Sequence, residues 1–258
     1  MTAVIRRLLQ PTPELLDDPS PGKIAATAAI TFASLTAYGF TVGFWRSAEM
    51  GAYVAVKMPL LIACTLGCNG LLNGMLGLLL GGLGFRQSLL ALLSSFATAG
   101  LILGSLAPVT LMMALQFSDP ESPQAVSAHA AHQLFHIALI ASAGVAGALS
   151  LYRILLTRCA SPAIARITLG SWVAGNGFLG AQFSWILRPF FGTPGLPVVF
   201  LWQHPLQGSF YDSVWKALRR LLGRDGTMVA LLPCTVALVL IGIPLALHLQ
   251  QKRNKTRP

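Results

Sequence analysis

The sequence predicts an all-α fold, a polytopic transmembrane helix bundle of about six spans with one interfacial amphipathic helix. Three observations predict it. Of 258 residues, 54% are hydrophobic and only 10% charged, whereas a soluble domain carries about 25% charged residues. The mean hydropathy is +0.67. Apolar windows long enough to cross a hydrocarbon core of about 20 residues recur along the chain, and no stretch alternates as a membrane-barrel strand would.

Residues 1–23 read as a cytoplasmic N-terminal tail. Arg6 and Arg7 are followed by LLQPTPELLDDPSPGK, where prolines and acids occupy the place of a signal peptide's apolar core, so no cleavable leader is expected. The apolar windows then fall at 24–44, 55–80, 88–115, 131–152, 167–187 and 227–248. The third exceeds the length a span needs, which fits a tilted helix. Together they make a single transmembrane domain over 24–248, with a proline-rich cap and a basic amphipathic helix inserted at 188–226. A basic cytoplasmic tail, 249–258, follows.

The net charge is +10, from 18 Lys and Arg against 8 Asp and Glu. These bases cluster between and after the apolar windows, as orientation signals and anionic-lipid contacts do. No basic stripe is interleaved with solvent-facing aromatics, so the expected partner is a bilayer containing anionic lipid, with other membrane proteins, and not nucleic acid. With the N-terminus inside, eleven bases lie on the inner side and seven on the outer. That places both termini in the cytoplasm. Five of the seven outer bases belong to one connection, Arg188 to Arg224, which runs against the positive-inside rule. The loop FSDPESPQ, with Asp119, Glu121 and no base, suits the exterior.

Several polar groups stand inside these windows. Thr65, Asn69 and Asn73 recur every fourth residue, and Asn176 and Gln182 lie on the fifth window. Amides facing lipid would lack partners at a cost of about 1–3 kcal/mol, so these residues must turn inward. They either bond helix to helix or line a polar path. Gly170, Ala174, Gly177, Ala181 and Ser184 share one helical face and predict close packing of a central helix. The four cysteines lie in or beside apolar windows and read as small packing residues.

The stretch RPFFGTPGLPVVFLW is too apolar for water and too rich in proline to be helical. Irregular backbone at membrane depth must be buried in protein or line a cavity. Trp185, Arg188, Pro189, Phe190 and Phe191 are therefore expected to anchor a cap folded back on the outer end of the bundle. Next, GSFYDSVWKALRRLLGRDG begins with a capping signal at Ser209 and Asp212. Its Lys216, Arg219 and Arg220 form a basic face suited to an anionic lipid surface. Finally, HAAHQLFH places His129, His132 and His136 on one helical face. Imidazoles so arranged are candidate ligands for a transition metal, while a bundle-facing histidine stripe is the alternative. No other cofactor is expected, and no Walker loop, HExxH or GxSxG motif is present.

The strings KMPLLIACTLGCNGLLNGMLG, FRQSLLALL, SLAPV and GAQFSWILRPFFGTPGLP resemble an uncharacterised family of bacterial polytopic inner-membrane proteins, over roughly residues 57–200. The resemblance implies a bacterial inner membrane and carries no activity or site residues. GGLGFRQSLLALLSS is similar to a segment of Yip-domain membrane proteins, whose five spans differ from the six windows here. The expected function is a non-enzymatic scaffold or accessory subunit of a membrane complex. The alternatives are a small channel or permease using the Asn/Gln path, and a metal-binding protein using the histidines.

Overall fold

The computed structural model describes residues 16–116 and 121–212. The chain divides into two compact units, 1–206 and 207–258. The first contains five helices among the described residues: α1 (Pro21–Phe44), α2 (Ala48–Gly81), α3 (Phe85–Gln116), α4 (Ala125–Arg158) and α5 (Pro162–Ile186). No strand occurs among the described residues. Helices α1 to α4 are long and apolar enough to cross a membrane. Helix α5 covers the fifth apolar window up to Ile186. The sixth, 227–248, lies outside the described residues, as do Lys216, Arg219 and Arg220. Of the expected amphipathic helix only the start is described: Ser209 Oγ accepts the Asp212 amide at 3.0 Å, and helix begins at Phe210.

Local sequence sets the helix ends. Ser20, Ser47 and Ser161 are extended N-caps whose hydroxyls accept the amides of Lys23, Met50 and Ile164. Pro21 and Pro162 open their helices, where a missing N–H costs nothing. Gly82, at φ 65°, ends α2, and the Leu83 amide returns to Gly77 O at 2.9 Å. Backbone donors and acceptors at these ends thereby find partners without water.

Helix α1 packs on α2 and α3, α3 on α4, and α2 on α5. The approach of α1 to α2 depends on Gly39 and Gly43. A Cβ at Gly39 would stand 2.7 Å from Val54 O, and one at Gly43 2.5 Å from Met50 O. Small residues four apart allow such backbone contact, which drives helix association in lipid. The core beside them joins Leu35, Tyr38, Val42, Met50, Val54, Met58, Leu103 and Ala143.

The outer surface is apolar instead. Leu71, Leu79 and Leu134 are about 70% exposed (70, 75 and 68%), a liability in water and the expected covering in lipid. Buried hydroxyls bond back to their own helices, as Thr31 does to Thr27 O and Ser94 to Leu90 O. Thr41 and Thr110 bridge α1 and α3 at 2.7 Å. The small-residue stripe on α5 needs correction. Gly170, Ala174 and Gly177 are exposed, and a Cβ at either glycine would meet nothing within 4 Å. The packed face is Ala165, Thr168, Leu169, Trp172 and Asn176, because the indole and amide must find partners inside and the glycines need none.

Candidate functional site: the capped end of the bundle

At one end of unit 1 the C-termini of α1, α3 and α5 meet the N-termini of α2 and α4. Residues 187–202 fold over it. Trp202 N donates to Arg188 O at 3.3 Å and closes the segment on itself, while Leu196 N reaches Thr193 O at 3.2 Å. Phe190, Phe191 and Val198 pack against the core of α1, α2 and α3. Phe190 and Phe191 thus turn toward the protein, while Trp202 stays exposed.

Two cations hold the cap by its carbonyl oxygens, and a third, within the cap, reaches back to a carbonyl of α5. Lys57 Nζ, on a side chain with no exposure, donates to Pro189 O at 2.7 Å and lies 5.8 Å and 5.2 Å from the ring centres of Phe190 and Phe200. Arg46 donates to Leu196 O at 3.3 Å. Arg188 donates to Trp185 O at 2.6 Å and stacks 3.8 Å above the Trp185 ring. Each pairing suits apolar surroundings, because ring faces and carbonyl dipoles offset part of the cost of removing a charge from water. Gly192 turns the chain at φ 65°, and its missing Cβ leaves room for Arg46, whose Cγ would lie 2.7 Å away. Burial lowers the Arg188 guanidinium from its ordinary value, yet an arginine stays charged.

Beneath the cap the three histidines share a face of α4. His132 Nε2 contacts Val42 O at 2.9 Å, and Tyr38 Oη lies 2.6 Å from His136 Nδ1. Trp45 stacks on His132 at 5.7 Å and tilts against His129 at 5.5 Å. Phe191 stands edge-on to His132 at 6.1 Å. Among the described residues no group of three His, Cys, Asp or Glu side chains could hold a metal ion. His132 and His136 each commit one ring nitrogen to a partner on α1.

A cavity of about 320 Å³ lies between α4 and the cap, lined by His129, Gln133, Arg188, Phe191, Thr193 and Trp202 among others, none of them acidic. Nδ1 of His129 is buried with no partner among the described residues.

The Asn residues bond helix to helix. Asn69 Nδ2 donates to Asn73 Oδ1 at 3.3 Å, and Asn73 Nδ2 to Asn176 Oδ1 at 3.2 Å. Asn176 Nδ2 reaches Trp172 O at 2.8 Å, and Trp172 Nε1 donates to Asn73 O at 3.0 Å. All four side chains are buried between α2 and α5. Thr65 bonds to Leu61 O at 2.7 Å in its own helix. Gln182 is half-buried and engaged with a neighbour.

Sequence reading placed the cap and the histidines together only by topology. It missed Tyr38 and Trp45, and took Arg46 and Lys57 only as charges on the outer side. A lone lysine inside an apolar window was the available signal, since such a charge needs a partner within the protein. Comparisons with protein-family profiles, with curated proteins and with solved structures find no match.

Proposed function

We propose that this protein is a non-enzymatic, multi-pass accessory component of a bacterial inner-membrane complex, with both termini cytoplasmic and the capped end as its recognition surface. What carries the reading is the way the cap is fixed. Arg46, Lys57 and Gly192 hold an apolar, irregular segment in one conformation on a rigid helix frame. A preformed surface loses little conformational freedom when a partner binds, which is how rigidity becomes affinity. The open small-residue face of α5 supports the same reading, since another helix can approach such a face closely in lipid.

The permease alternative is less well supported. A polar path needs amides presented to water, whereas Asn69, Asn73 and Asn176 bond to one another in a buried contact. The test is affinity isolation of the full chain in mild detergent, beside a Gly192→Val variant that forces the cap off its seat. A partner that co-purifies with the wild type and is lost with the variant supports an accessory role. Isolation of the wild type always alone, with solute uptake into liposomes, would replace that role with transport.

A further inference from the structure

The cavity under the cap combines features that select a ligand class. Its polar lining includes the Arg188 guanidinium, the His129 imidazole and the Gln133 amide, and its lining contains no carboxylate. One of the five guanidinium N–H donors is engaged with Trp185 O. His129 lines the same cavity, its ring tilted against Trp45 at 5.5 Å. Phe190, Phe191 and Pro189 make the remaining wall apolar.

Size and depth narrow the choice. At roughly 30 Å³ for each water, about 320 Å³ would take on the order of ten waters, room for a phosphate ester and more than a carboxylate needs. With α4 centred in a bilayer at 1.5 Å rise per residue, His129 stands roughly 19 Å from the midplane, beyond a hydrocarbon half-thickness of about 15 Å. That is the level of lipid phosphates. Leu196 and Trp202, at 43% and 38% exposure, form an apolar rim along which an acyl chain can leave.

We propose that this cavity is a binding site for the phosphate group of an anionic membrane lipid, held by Arg188, His129 and Gln133 against the apolar wall of the cap. Guanidinium recognises phosphate by paired, charge-assisted hydrogen bonds, and an imidazole and an amide contribute donors from a second direction. The site does not depend on a protein partner, so its failure leaves the accessory role standing, and loss of partner binding leaves the site standing.

The experiment uses the full chain in neutral detergent, with native mass spectrometry counting retained lipid. Phosphatidylglycerol and phosphatidylcholine are titrated separately, with and without millimolar inorganic phosphate. The wild type retains phosphatidylglycerol preferentially. Arg188→Gln lowers that retention about tenfold, the loss expected for one charge-assisted hydrogen bond. Gln133→Leu, which leaves the cap's fastenings intact, lowers it less, and Arg86→Gln, an exposed base outside the cavity, changes nothing. Equal retention of the two lipids, or unchanged retention in both cavity variants, overturns the proposal. Occupation by inorganic phosphate with no lipid retained assigns the site to a free anion and overturns the lipid source.

Discussion

Where the described chain enters the bundle, cations meet carboxylates: Arg158 pairs with Asp17, and Lys23 lies 3.2 Å from Asp18. At the opposite end, Arg46, Lys57 and Arg188 meet carbonyl oxygens and aromatic faces. The difference follows from solvent. Asp17 and Asp18 are 59% and 75% exposed, and an ion pair in water contributes little. Lys57 has no exposure at all, and one carbonyl and two aromatic rings take the place of water around its charge. The entry end should tolerate loss of its charges, whereas cations fasten the capped end.

The largest effect separates the ends by packing. Gly43→Leu at the capped end drives a side chain into the backbone of Met50, which cannot move aside, and should cost more than about 3 kcal/mol. Little folded protein would survive detergent size-exclusion chromatography. Gly22→Leu at the entry end meets nothing within 4 Å and should elute as the wild type. Similar behaviour of the two variants would dissolve the contrast.

Lys57→Met tests what fixes the cap. It leaves Pro189 O without a donor, a penalty of about 1–3 kcal/mol, and also removes a buried charge, which offsets part of that penalty. The overall Tm should therefore change modestly while amide exchange in residues 188–202 rises at least tenfold. Unchanged exchange there would mean that aromatic packing alone holds the segment.

Asp17→Asn should lower stability by no more than about 1 kcal/mol, because its pair with Arg158 is partly open to water. Raising salt to 0.5 M should mimic it, since screening acts on exposed pairs, and should leave exchange in the cap unaltered. A salt-sensitive cap would mean that its cations are hydrated. The smallest effect concerns Cys159, which follows α4 at the entry end. Burial pushes its thiol up, partly countered by the Thr168 hydroxyl. At neutral pH it should therefore alkylate more slowly than an unhindered cysteine, and faster as pH rises, when followed by mass spectrometry. Labelling as fast as a free thiol would show that this end opens to water.

Much of the fold was legible because the bilayer imposes a length and a composition on each helix. The windows at 24–44, 55–80, 88–115 and 131–152 lie within α1 to α4, whose serine caps and closing Gly82 only the structure revealed. The interior was less legible. Gly39 and Gly43 read as ordinary apolar-window residues until Val54 and Met50 were seen against them. The α5 stripe looked like a packing face and is open, because periodicity shows which residues share a face and not which face is covered. His129, His132 and His136 shared a face as expected, but the contacts of His132 with Val42 and of His136 with Tyr38 were not legible.

Composition and window length alone determined the all-helical class and the lipid-facing character of the surface, since both express a transfer free energy summed over residues. Proline and hydrophobicity together dictated that 189–202 could be neither helix nor solvated loop. Which partners satisfy each buried polar group was decided only in three dimensions. Lys57 finds Pro189 across 132 positions, and Asn73 finds Asn176 across 103. Hydrogen bonds depend on distances of a few ångströms, and only the folded chain brings such distant residues that close.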